Sequence, residues 1–147
     1  MAPISPPVSA ERKLRMTIES RLEQVSHVGA SVRGILKDVI SDDVAAYKIE
    51  VAVAEAINNV IAHAYGLERG HEIEIEMSLS SERVIFTIYD TGKAMQFPEV
   101  SGINYDPGDR PRLPEGGMGL PLMKSIMDHV SYSRREGKNC IILCKRL

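Results

Sequence analysis

Between His71 and Asp90 the sequence alternates. Ile73, Ile75, Met77 and Leu79 take every second position, with Glu72, Glu74, Glu76 and Ser78 between them. A period of two sends these sets to opposite faces of a strand, so one face is apolar and the other wet. "SSER" turns the chain, and "RVIFTIYD", ending at Asp90, reads as the antiparallel neighbour. A sheet with one apolar face needs a second layer to cover it.

That layer is legible upstream. Leu14 to Ser20 alternates loosely and is expected to form an edge strand. Leu22, Val25, Val28, Val32, Leu36 and Val39 then recur at three- and four-residue spacing, as one face of a helix does. "SDD", Ser41 to Asp43, offers an N-cap and two acids suited to the positive end of a second helix. That helix would bury Ile49, Ala52, Val53, Ala56, Ile57, Val60 and Ile61 and run to Tyr65, with Gly66 as a left-handed cap. No period survives from Thr91 to Gly117, a stretch holding Pro98, Pro107, Pro111 and Pro114, and it reads as a lid. Helical spacing returns in "LPLMKSIMDHV", where Pro121 suits a first turn. "SYSRR", "EGK" and "NCIILCKRL" then form a closing hairpin. The order predicts an α+β two-layer sandwich, its sheet mixed but mainly antiparallel, with helices on one face.

Composition narrows the function classes. The 147 residues fit one hydrophobic core. A net charge of −2 gives no broad cationic field, so direct nucleic-acid binding is not expected. No apolar run approaches the roughly 18 residues of a membrane span, and "MAPISPPVSAERK" lacks the apolar centre of a signal peptide. A cytoplasmic protein without a membrane partner is expected. Three prolines in the first seven residues suggest a flexible leader over residues 1–12, with the domain proper over 13–147. Cys140 and Cys144 would share one strand face about 13 Å apart, too far for a disulfide. They read as small, buried or half-buried apolar residues.

Three local patterns carry chemistry. In "EAINNVIAHAYG", Glu55, Asn59 and His63 are spaced as a drifting stripe on one helix edge. One carboxamide oxygen with a carboxylate nearby would suit Mg²⁺, which keeps several waters and shares substrate phosphates. A solvated helix face would account for the same residues. In "YDTGKAM", Asp90 ends an apolar strand and Gly92 permits a tight turn. A buried carboxylate there can accept a hydrogen bond from an exocyclic amine such as that of adenine. An ordinary Asx turn is the plainer reading. In "EGGMGLPLM", Gly117 and Gly119 flank Met118 just before a helix, where free N–H groups can meet an anion. A plain hinge would look alike.

In this order, the three patterns resemble the GHKL ATPase superfamily, and within it the anti-sigma factor serine/threonine kinases. The carriers are "AEAINNVIAHAYG", "YDTGKAMQFP", "GGMGLPLMKSIMD" and the hairpin ending "LCKRL". The resemblance implies an ATP- or ADP-binding site with Mg²⁺ on Asn59. It implies Glu55 as the base, or water-orienting carboxylate, of phosphoryl transfer. Asp90 would hold adenine with Gly92 against the ring, and Ala94 and Met95 would continue that turn. Gly117, Met118, Gly119 and Leu120 would wrap the phosphates through backbone N–H groups, and the lid would span residues 93–116. Ala94 stands where such proteins often have a second glycine. Glu115 and Gly116 stand where a basic residue is common, and Arg110 or Arg112 would be its substitute. Cys140 is expected in the place of a threonine near the adenine. The implied partners are a sigma factor and an anti-anti-sigma protein of the STAS type, and the implied state is a homodimer. The alternative is a nucleotide-sensing switch that binds partners without phosphoryl transfer. A histidine-kinase catalytic domain fits less well, because His27 is followed by Val28, Gly29 and Ala30.

Overall fold

The computed structural model describes residues 11–96 and 119–147. Residues 1–10 of the expected leader, and most of the expected lid with Gly117 and Met118, lie outside the described residues. In chain order the elements are β1 (Arg12–Glu19), α1 (Leu22–Leu36), α2 (Asp43–Asn59), a π-helical turn (Val60–Ala64), β2 (Glu72–Leu79), β3 (Arg83–Asp90), α3 (Gly119–Ile126), β4 (His129–Arg135) and β5 (Lys138–Arg146).

The strands form one sheet of five in the order β1-β2-β3-β5-β4. Every neighbouring pair is antiparallel, so among the described residues no parallel pairing adds to the antiparallel pattern. Period-two alternation puts Ile73, Ile75, Met77, Val84, Phe86, Ile88, Ile141 and Leu143 on the covered face, where all are fully buried. Opposite them lie Glu74, Glu76, Thr87, Tyr89, Cys140, Ile142 and Cys144, all half-buried. The cover is the expected α+β layer. Val25, Val28, Val32 and Leu36 of α1 and Ile49, Ala52, Val53, Ala56 and Ile57 of α2 close the core.

The helix stripe is shorter than its sequence period implies. Leu22 is 54% exposed and Val39 is 40% exposed. Leu22 opens α1 before the helix meets the sheet, and Val39 lies past its end, so neither shares the buried face. Asp42, rather than Ser41, caps α2; its carboxylate accepts from the N–H groups of Val44 (2.9 Å) and Ala45 (3.3 Å). Gly66 adopts φ +58°, as expected of the cap, and Leu67 follows it at +65°. α3 stops at Ile126, and His129 and Val130 belong to β4 rather than to the helix. The closing hairpin turns through Glu136 (φ +51°) and Gly137 (φ +77°), both left-handed as a two-residue turn of this kind requires. No helix among the described residues is long and apolar enough to cross a membrane.

Candidate functional site

α2 is the spine of the site. Its edge carries Glu55 and Asn59, one turn apart and both half-buried. The first residue of α3 lies directly against them. A Cβ on Gly119 would sit 3.1 Å from Asn59 Nδ2 and 3.1 Å from Glu55 Oε2. Glycine lets the backbone approach both polar groups closely; a larger residue would push the two side-chain ends back by a few tenths of an ångström. Leu120 tucks into the core behind it, 8% exposed, and anchors α3 against α2. Two of the three sequence patterns thus meet in space.

The third pattern meets the same helix further on. After Asn59 the helix widens into the π turn, with Tyr65 N donating to Val60 O at 3.1 Å. Such turns bring an extra residue into the helix and re-aim the groups beyond it. Here the Ala64 carbonyl accepts from Lys93 N at 2.8 Å. A Cβ on Gly92 would collide with that carbonyl, so the turn after Asp90 can press against the helix end only as glycine. Tyr65 reinforces the contact: its hydroxyl accepts from Thr91 N (2.9 Å) and donates to Glu72 O (2.8 Å). Ala64 and Asn59 are five residues apart, roughly 7 Å along the axis. The Gly92 turn and the Gly119 backbone therefore flank one short stretch of helix.

Asp90 is 2% exposed. Its Oδ1 accepts from Gly92 N at 2.9 Å and from Asn139 Nδ2 at 2.7 Å. Oδ2 is buried and has no partner among the described residues. A buried acceptor left open costs free energy unless something donates to it, so this oxygen is available to a donor from outside the described residues. Ala94 is exposed, and Met95 is half-buried with its N–H donating to the Tyr132 hydroxyl at 3.0 Å.

The expected residues divide cleanly. Glu55, Asn59, Gly119 and Leu120 come together, as do Asp90, Gly92 and Met95. His63 is exposed, because the π turn carries it off the line of Glu55 and Asn59. Gly117, Met118, Arg110, Arg112 and Glu115 lie outside the described residues. Cys140 is not beside Asp90. It pairs with Tyr89 on the opposite face, where burial pushes its thiol pKa up and a Ser133 hydrogen bond partly offsets this. The residue across from Asp90 is Asn139, fully buried. The sequence held a signal for it, a carboxamide in phase with the core residues Ile141 and Leu143. Among the described residues no three His, Cys, Asp or Glu side chains gather to cage a metal. A cation at this edge would rest on the Asn59 carboxamide, with Glu55 beside it and further oxygens from a ligand.

A helix edge with a carboxamide and a carboxylate, a buried Asp-x-Gly turn and a glycine-led helix make up the candidate site. The profile of the family described as "Histidine kinase-like ATPase domain" matches residues 18–145, and the chain belongs to that family. Among curated relatives, the serine-protein kinase RsbW of Bacillus cereus (strain Q1) is 29% identical over 136 residues, covering 88% of this chain and 82% of the relative. RsbW of Bacillus mycoides (strain KBAB4) is similar to the same extent. The resemblance to this superfamily and its serine/threonine kinases is thus borne out. Among the solved structures that share the fold, two cover most of this chain. One contains the RsbU and RsbW domains of a Mycobacterium tuberculosis protein, with TM-score 0.65 and 17% identity over 92% of this chain. This chain spans only 32% of that longer one. The other, from the SiaB–SiaC complex of Pseudomonas aeruginosa, has TM-score 0.55 and 11% identity, covering 90% of this chain and 89% of that one.

Proposed function

We propose that this chain is a cytoplasmic, ATP-dependent serine/threonine-protein kinase and anti-sigma regulator. It phosphorylates an anti-anti-sigma partner of the STAS type and, as a homodimer, sequesters a sigma factor. The observation that carries this reading is the convergence of Glu55, Asn59 and the first residue of α3, where a Cβ on Gly119 would lie 3.1 Å from both side chains. The names of the RsbW relatives support it.

The residues fit an adenine nucleotide. Asp90 Oδ2 is an open, buried acceptor for the exocyclic amine. Gly92 leaves bare backbone where a Cβ would collide with the Ala64 carbonyl, and Gly119 brings bare backbone close to Asn59 and Glu55. When bound, ATP would supply the phosphoryl group and Mg²⁺ would neutralise charge on its oxygens. Asn59 would hold the metal through its carboxamide oxygen. Glu55 would accept the proton of the attacking hydroxyl on a partner's serine or threonine. Gly117, Met118, Gly119 and Leu120 would offer backbone N–H groups to the phosphates, with residues 93–116 as the lid and 1–12 as the leader.

The test is transfer of labelled phosphate from ATP to a STAS-type partner, paired with nucleotide binding by calorimetry. Glu55→Ala is expected to keep nucleotide affinity and to lose transfer by about 10²- to 10⁴-fold. Asn59→Ala is expected to weaken Mg-nucleotide binding itself. Normal transfer by Glu55→Ala would remove the base assignment. The second reading, a nucleotide-sensing switch without transfer, is favoured by Glu115 and Gly116, which occupy the stretch where such kinases often place a basic residue. It predicts ATP-dependent partner capture with no label transferred.

A further inference from the structure

Asn139 makes more polar contacts than its place in an apolar strand would suggest. Its Nδ2 donates to Asp90 Oδ1 (2.7 Å), Lys93 O (3.0 Å) and Gly92 O (3.2 Å). Its Oδ1 accepts from Arg134 (2.7 Å) and the Tyr132 hydroxyl (2.8 Å). The amide has one possible orientation. Arginine only donates, whereas carboxylates and carbonyls only accept, so Nδ2 must face Asp90 and Oδ1 must face Arg134. Arg134 also donates to Gly92 O at 2.9 Å, and Met95 N–H donates to Tyr132. One buried carboxamide therefore ties Asp90, the turn that follows it and the β4–β5 hairpin into one network.

We propose that Asn139 is the residue that sets how Asp90 reads a purine base. Asn139 and the Gly92 N–H together occupy Oδ1, which leaves Oδ2 as the single open acceptor, held in one orientation. An open acceptor pairs with the 6-amino group of adenine and opposes the 6-oxo group of hypoxanthine. Selection of an amine thus depends on a strand carboxamide that acts through Asp90, as a positioning residue. This inference rests on the assignment of the base to Asp90.

The experiment is calorimetry on the full chain with ADP and with IDP, from about pH 5 to about pH 8, spanning the range in which a coupled carboxyl pair can titrate. The wild type is expected to favour ADP by roughly 10- to 100-fold, the scale of a mismatched buried hydrogen bond. Asn139→Asp keeps the oxygen that meets Tyr132 and Arg134 but sets a second carboxyl against Asp90. One shared proton can hold that pair together, and its loss makes them repel. The variant is therefore expected to bind ADP nearly as wild type at about pH 5, and on the order of tenfold or more weaker at about pH 8. A packing role alone predicts no such pH profile. Tyr132→Phe, a milder change, is expected to lower the ADP:IDP ratio by about two- to tenfold. If Asn139→Asp fails to fold by circular dichroism, Tyr132→Phe decides: a lowered ratio supports the proposal and an unchanged one overturns it. A folded Asn139→Asp with a flat, wild-type profile also overturns it, leaving the base assignment standing. A wild type that takes up neither nucleotide removes both.

Discussion

At the scale of single residues, the site depends on two absent side chains. Gly92 and Gly119 each leave out a Cβ where it would strike a specific group: the Ala64 carbonyl for one, Asn59 and Glu55 for the other. The collisions differ in severity. Backbone cannot yield as a side-chain end can, so Gly92→Ala must displace the turn after Asp90. It is expected to cost about 1–3 kcal/mol in urea unfolding and to weaken ADP binding more than tenfold. Gly119→Ala needs only a few tenths of an ångström from two side chains. It should leave stability nearly intact and reduce the Mg²⁺-dependent part of nucleotide affinity, measured by titration with and without the metal. If Gly119→Ala is indistinguishable from wild type in both, the close approach of Gly119 to Asn59 and Glu55 is incidental.

At the scale of elements, caps and turns can be tested separately. Asp42→Ala removes two N–H partners from the start of α2 and is expected to cost about 1 kcal/mol in thermal or urea unfolding. Glu136 holds a left-handed conformation that costs a side chain of its type on the order of 1 kcal/mol. Glu136→Asn should recover part of that, raising the midpoint of unfolding. The elements also show what was legible in the sequence. β2 was readable from its alternation of apolar and acidic residues, and β3 and β5 were readable as apolar runs flanked by turns, since their outer faces also carry Ile85, Cys140, Ile142 and Cys144. α1 was readable in the middle but not at Leu22 or Val39, because periodicity records helix phase and not where contact with the sheet begins. The exchange of Cys140 for Asn139 has a similar cause. Along a strand a one-residue shift crosses the sheet, and only the Asp90–Asn139 register decides which side faces the site. The π turn was illegible, since Val60–Ala64 has the composition of ordinary helix.

At the scale of the whole molecule, acid should loosen the join between α3 and the sheet. Asp128 Oδ2 accepts from Arg146 N at 2.6 Å, and Lys145 stands 3.7 Å from Oδ1. The backbone hydrogen bond, with help from Lys145 and Arg146, holds this carboxyl below the usual aspartate range. A carboxyl whose pKa is lowered on folding stabilises the fold above its unfolded pKa, near 3.9, and loses that contribution as the pH falls through the folded value. Because the site is exposed, the contribution is about 0.5–1 kcal/mol. Asp128→Asn is expected to lower stability at neutral pH by that amount and to flatten the acid limb of a urea-stability profile. Equal acid limbs for variant and wild type would remove Asp128 from the account.

The widened turn at Val60–Ala64 has a consequence for how this chain tolerates change in length. The turn already absorbs one residue more than a regular helix would hold, so a further amino acid inserted there would add about 100° of rotation, swing the Ala64 oxygen far from Lys93 and leave the loop beyond Asp90 without its berth. Substitutions of similar size at Val60 or Ile61 keep the residue count, and the berth with it. Over this short interval the number of residues is constrained more tightly than their identity.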